Sequence, residues 1–154
     1  MKQIRYISTA VAILFLAAAP LWSAESDDVM AQLDSADPAV QVRAIRSIGA
    51  SKTSAASSKL LDLMENSSNT EVQASAAAAL GAIGESENVL EALIRVAGKA
   101  ESSRVRYASM LALANLRSDE NAEQVDAVIG ANTGDGMDAL VRDLAQKLQT
   151  RFAK

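Results

Sequence analysis

The sequence predicts an all-α fold made of stacked helical pairs, and three observations carry that prediction. Three segments superimpose at spacings of 32 and 33 residues. Each holds a valine, a small residue four on, a large aliphatic eight on, and Gly or Ala nine on. The sets are Val40/Ala44/Ile48/Gly49, Val72/Ala76/Leu80/Gly81 and Val105/Ser109/Leu113/Ala114. A stripe at i, i+4 and i+8 is one face of a helix. Composition agrees: alanine fills 31 of the 154 positions and aromatics only five, which favours close-packed helices over strands.

The elements follow in chain order. Residues 1–24 read as a secretory signal: Lys2 and Arg5, an apolar run from Thr9 to Ala19, then Pro20 and the small pair Ser23–Ala24. That run is short of the roughly 20 apolar residues a bilayer-crossing helix needs. Cleavage after Ala24 leaves bulky Trp22 three residues before the cut, so an uncleaved N-terminal membrane anchor is the alternative. Residues 25–154 then form one domain. Asp27 to Asp34 reads as a leading cap helix with Val29 and Leu33 inward.

Each first helix of a pair is expected after Asp37, Asn69 or Ser102, whose side-chain oxygens can accept an orphan backbone N–H. Pro38 falls at the first helical position, where its missing N–H costs nothing. A second helical pattern follows each: Leu60, Leu61 and Met64; then Val89, Leu90, Leu93 and Val96; then Val125, Val128 and Ile129. Three repeats result, at about 37–66, 69–100 and 102–132, with a capping helix at 137–151 that turns Leu140, Leu144 and Leu148 inward. Ala76 to Ala79, Gly81 and Gly84 are expected where neighbouring helices approach closely.

A first helix reading Val-x-x-x-Ala-x-x-x-Leu-Gly after an Asx cap, repeated at just over thirty residues, resembles the HEAT-like repeats of the phycobilisome-lyase type. The likeness covers roughly Asp37 to Ile129 and is strongest in the second copy. It implies a short right-handed α-solenoid of about three helical hairpins, with the second helices lining the concave face where partners dock. In the family an Arg after the valine often pairs with an Asp of the preceding turn. Here those positions are Gln41, Gln73 and Arg106, so stacking is expected to rest mostly on apolar packing.

Residue types narrow the chemistry. Histidine and cysteine are both absent, which removes Ser-His-Asp and Cys-His catalysis, thiolate metal ligands and the commonest general base. The net charge is −4, and about −6 once Lys2 and Arg5 are removed, which gives no drive toward nucleic acid. The acidic pairs Asp27/Asp28 and Asp119/Glu120 fall at expected helix starts, where the dipole favours them. The segment Asn132 to Asp138 lacks the closing glutamate of a calcium loop. The expectation is therefore a protein without cofactor, metal or enzymatic activity: a protein-interaction module or scaffold of the cell envelope, periplasmic or secreted, with another protein as partner, no nucleic acid, and no integral membrane span once the signal is cleaved. Alternatives are an accessory lyase-type or other ligand-binding protein, or a structural subunit of an envelope assembly. The candidate partner-binding residues are Lys59, Glu91, Arg95, Lys99 and Asp126, on outward positions of the second helices. Glu91 and Arg95 stand at i, i+4 and can pair with each other. Tyr107 is either an anchor for a partner or a half-buried packing residue, and Arg43, Arg46 and Arg106 mark the alternative face.

Overall fold

Side-chain caps set where the first helices begin. In the computed structural model, which describes residues 28–84 and 87–154, Asp37 accepts from the Ala39 N–H at 2.8 Å. Asn69 accepts from Glu71 and Val72 at 2.9 and 3.2 Å, and Ser102 from Val105 at 3.5 Å. The export segment read at 1–24 lies outside the described residues, as does Asp27 of the leading cap helix. After helical residues 28–31 and a 3-10 turn at Gln32–Asp34, which bury Leu33 and pack Val29 on the core, come α1 (Pro38–Ser51), a second 3-10 turn (Ser54–Ala56), α2 (Ser57–Asn66), α3 (Thr70–Ile83) and α4 (Glu87–Lys99). Then follow α5 (Ser103–Leu116), α6 (Ala122–Ala131) and α7 (Ala139–Phe152). No strand occurs among the described residues. The fold is an all-α solenoid.

The helices form two layers. α1, α3, α5 and α7 stand side by side, and α2, α4 and α6 make the second layer. Each second helix rests on the first helix that follows it: α2 on α3, α4 on α5 and α6 on α7. The core lies between the layers and includes Ile45, Leu60, Val72, Leu80, Leu93, Leu113 and Ile129, all buried. Leu80 is wholly inaccessible, as its stripe position predicts. Val40 is only half-buried, because it lies at the start of the stack, where only the short helical segment 28–34 precedes α1. Ser109, standing where the other copies have Ala, donates its hydroxyl to the Val105 carbonyl at 2.9 Å, so its burial leaves no polar group unpaired.

Small residues let the first helices touch. A Cβ added at Gly49 would lie 3.0 Å from Ala79 Cβ, and one at Gly81 would lie 2.6 Å from both Cα and Cβ of Ala112. Gly84 differs from the expectation. An added Cβ there meets nothing within 4 Å, and its φ is +123°, so it serves the turn after α3 rather than helix packing. Ala78 is exposed, unlike Ala76, Ala77 and Ala79.

The final helix also differs. Leu140 is 58% exposed, and the buried stripe is Val141, Leu144, Ala145 and Leu148. The cap fixes this phase. Asp138 accepts from the Leu140 N–H at 2.9 Å, which places Val141 and Ala145 three and seven residues after the cap, as in the first helices. Leu140 shares the exposed position of Ala39 and Arg104. α7 is thus the first helix of a fourth, incomplete copy.

Two glycines give opposite expectations. Gly81→Ala forces α3 and α5 apart and should cost about 1–3 kcal/mol, as overpacking does. Gly98→Ala, whose Cβ would meet only Val128 Cγ2 at 3.7 Å, should gain about 0.5–1 kcal/mol from helix propensity. Leu80→Ala should cost about 2–5 kcal/mol. Urea unfolding of the three variants measures all of these.

Candidate functional site

Charged side chains on the second helices are held mostly by the protein itself. Lys59 pairs with Asp34 at 2.5 Å, and that hydrogen bond raises the lysine above its ordinary pKa. Arg95 pairs with Glu65 on the neighbouring α2, not with Glu91 one turn back, so the expected pairing within α4 is not made. Reaching across the groove links α2 to α4, which an intrahelical pair cannot do. Asp126 is gripped from two sides by Arg117, whose Nε and Nη2 donate to Oδ1 and Oδ2 at 2.8 and 2.7 Å. The Arg117 guanidinium also lies 4.5 Å from the centroid of the Phe152 ring. Its hydrogen bonds hold the Asp126 carboxyl below the usual aspartate range. Glu91 and Lys99 remain exposed, with no ion pair among the described residues.

Arg95 and Lys99 come together at a cavity of about 570 Å³. Its walls are the end of α2 (Met64, Glu65, Asn66), the start of α3 (Thr70, Gln73), the last two turns of α4 and the turn 100–102. Met64, Val96 and Val105 give it an apolar lining; Gln73 and Thr70 add polar groups. Lys59, Glu91 and Asp126 take no part in it. Sequence patterning marked Gln73 only as a ladder position and gave no sign that it or Thr70 borders a cavity, since the helical period does not report on gaps between elements.

The alternative face contains a different arrangement. Glu71 bridges Arg46 and Arg104, tying α1, α3 and α5 together along the outer side of the first helices. Under this bridge lies a trough of about 490 Å³ lined by small residues such as Ala50, Ala78 and Ala82. All three charged groups are substantially exposed, so the bridge contributes little to stability. Arg106 is a structural residue. Its Nε and Nη2 donate to the Ala100 carbonyl at 3.1 and 2.8 Å, and Nη1 donates to Asn132 Oδ1 at 3.1 Å. Gln41 makes the same backward reach, to the Leu33 carbonyl at 2.9 Å. Two of the three positions that the resemblance marks for a ladder thus bind carbonyls of the preceding turn. Tyr107 is half-buried and packs against the core. Asn132 is buried, with its amide turned into the protein.

No helix among the described residues is long and apolar enough to cross a membrane. Residues 26–114 and 57–148 each match the HEAT repeats family. No curated protein matches the sequence. Among solved structures, the complex of CpcE and CpcF of phycocyanin lyase from Nostoc sp. PCC7120 matches with a TM-score of 0.70 at 18% identity, over 80% of this chain and 79% of that one. At that identity the likeness is one of fold. It corrects the expectation that the chain is no enzyme. The same architecture occurs in a lyase complex, so the absence of histidine and cysteine excludes particular catalytic groups and not enzymatic function.

The Arg117–Asp126 clamp makes a pH prediction. Because the folded Asp126 titrates below its unfolded counterpart, the stability it contributes is fully present above the ordinary aspartate range and is lost as pH falls through the folded value. Asp126→Asn should therefore lower Tm near neutral pH and converge with the parent by about pH 2. Arg117→Lys should not restore the parent Tm, since an ammonium cannot make the two-pronged contact. Thermal melts across that pH range check both.

Proposed function

The chain belongs to the HEAT-repeat family, and on that premise we propose that it is an exported protein-binding module that docks its partner on the second-helix side of the stack. One observation carries the reading. Of the five outward charged residues picked on that side, Arg95 and Lys99 border a sizeable open cavity, Arg95 paired there with Glu65, whereas Lys59 and Asp126 lie away from it and are occupied by Asp34 and Arg117. A cavity with some apolar lining and a rim of mixed charge, Arg95 and Lys99 beside Glu65 and Glu101, suits a segment that presents both apolar and polar contacts. Export rests on the order of residues 1–24: basic start, short apolar run, small-residue end. It places the partner in the cell envelope or outside it.

A second reading is an accessory lyase-type role. The fold likeness to a phycocyanin lyase complex, extending over four-fifths of this chain, supports it. A lyase assay with phycocyanin as acceptor distinguishes the two. Turnover that depends on this chain supports the lyase role, whereas partner capture without turnover supports the docking role.

Two outcomes test the docking reading. The double variant Arg95→Glu, Lys99→Glu should leave Tm nearly unchanged, since exposed pairs are worth about 0.2–1 kcal/mol. It should lose partner capture from envelope extracts, because like charges placed together at an interface cost several kcal/mol. Intact capture by this variant removes the second-helix face from consideration. For export, mass spectrometry of the protein isolated from its cells should find the N-terminus at Ala24 or Glu25; a membrane-bound chain starting at Met1 would instead show an anchor.

A further inference from the structure

Four first helices carry a polar side chain at the same place, four residues after the cap: Gln41, Gln73, Arg106 and Arg142. Three have partners within the chain, two of them backbone carbonyls and one a surface carboxylate. Gln41 donates to the Leu33 carbonyl at 2.9 Å, Arg106 to the Ala100 carbonyl and Asn132, and Arg142 pairs with Asp135 at 3.6 Å. Gln73 has no such partner among the described residues, and it borders the cavity of about 570 Å³.

The next junction of the stack shows what belongs in such a place. There the loop after α6 turns Asn132 inward. Its Oδ1 accepts from Arg106 at 3.1 Å, and its Nδ2 donates to the Val128 carbonyl of its own helix at 2.7 Å and, across the junction, to the Ala97 carbonyl at 3.2 Å. The Met137 sulfur, 3.4 Å from Arg106 Nη1, closes the space. One repeat earlier, Ala100 stands in the place of Asn132 and Met64 in the place of Ala97. A methyl group can neither accept from Gln73 nor donate to the Met64 carbonyl. The turn is also shorter, 100–102 against 132–138, so no side chain arrives to match Met137. The cavity is the room that a missing loop leaves.

We infer that this cavity receives a primary-amide side chain, Asn or Gln, presented by a loop of a partner protein and held between Gln73 and the Met64 carbonyl. The amide is the group that fits both ends, since it accepts with its oxygen and donates with its nitrogen. A carboxylate would set an unprotonated oxygen against the Met64 carbonyl and beside Glu65. An ammonium would leave Gln73 without an acceptor for its N–H. Met64, Val96 and Val105 supply the apolar part of this open cavity, and a hydrogen bond matched at both ends there adds selectivity. The inference names the ligand chemistry of the docking face proposed above and rests on that reading. A second copy of this chain cannot supply the amide from Asn132, which is used internally.

The probe is a synthetic peptide copying residues 130–137, Gly-Ala-Asn-Thr-Gly-Asp-Gly-Met, titrated into the full chain and followed by amide chemical shifts. Saturable shifts are expected at the Gln73 side-chain NH2 and along Met64–Asn66 and Lys99–Ser102. Replacing the peptide Asn by Ala should weaken binding by about five- to tenfold, the worth of one or two neutral hydrogen bonds. Gln73→Ala should do the same, and the two changes together should cost less than their sum. Ala100→Asn, which supplies the amide in cis, should block the peptide while the chain stays folded. Absence of saturable shifts, equal binding of the Ala peptide, or tighter binding of an Asp peptide overturns the inference. If the peptide fails while the Arg95/Lys99 charge reversal abolishes partner capture, the docking face stands and its amide chemistry falls. If the peptide binds as expected while capture survives the reversal, the reverse holds.

Discussion

Contact between the backbones of neighbouring first helices is the constraint on which the rest of this protein depends. At Gly49 and Gly81 the next helix comes so near that a single methyl would stand 3.0 Å from Ala79 Cβ or 2.6 Å from Ala112 Cα. Small side chains recover through this approach the dispersion contacts that their size forfeits. The spacing of α1, α3 and α5 is fixed there, on the first-helix layer. Each second helix then rests on the first helix after it, so the second layer has little freedom of its own. At the last junction Ala114 and Leu148 stand where the earlier pairs are Gly with Ala, and α7 packs more sparsely on α5.

Elements governed by local rules were legible in the sequence. Asp37, Asn69 and Ser102 announce the first helices because a cap acts within three residues. The Val72–Ala76–Leu80 stripe announces burial because helical period dictates it. Features decided by a competition were read less well. Leu140, Leu144 and Leu148 make a stripe by spacing, yet the Asp138 cap sets a phase in which Leu140 points out. Glu91 and Arg95 make a pair by spacing, yet Glu65 across the groove takes the guanidinium. Gly84 read as a packing glycine and proves to be a turn residue with positive φ. The cavity was not legible at all, because it follows from what Ala100 lacks rather than from what any residue has.

The candidate site follows the same division. Five outward charges were picked from helical period, and period alone cannot say whether an outward charge is free. Three of the five, Lys59, Arg95 and Asp126, have partners that come from other elements. Asp34 and Glu65 are distant enough in the chain that only the assembled stack brings them near, while Arg117 reaches Asp126 across the turn between α5 and α6. The inventory of residue types was over-read in the other direction. Missing histidine and cysteine rule out specific nucleophiles and ligands, while a fold shared with a lyase complex shows that solenoids of this shape also work as parts of enzymes.

The Arg117 clamp has a mechanical consequence. A solenoid held only by nearest-neighbour contacts unravels from its ends, one unit at a time. Here Arg117, just past α5, holds Asp126 of α6 and also covers the ring of Phe152 in the last turn of α7. Three helices therefore meet at one guanidinium, and fraying of the last turn gives up a cation–π contact of about 0.5–1 kcal/mol as well as its packing. The guanidinium thus couples the end of the stack to the hairpin before it, and opening of the last turn is felt at Asp126 as well as at Phe152.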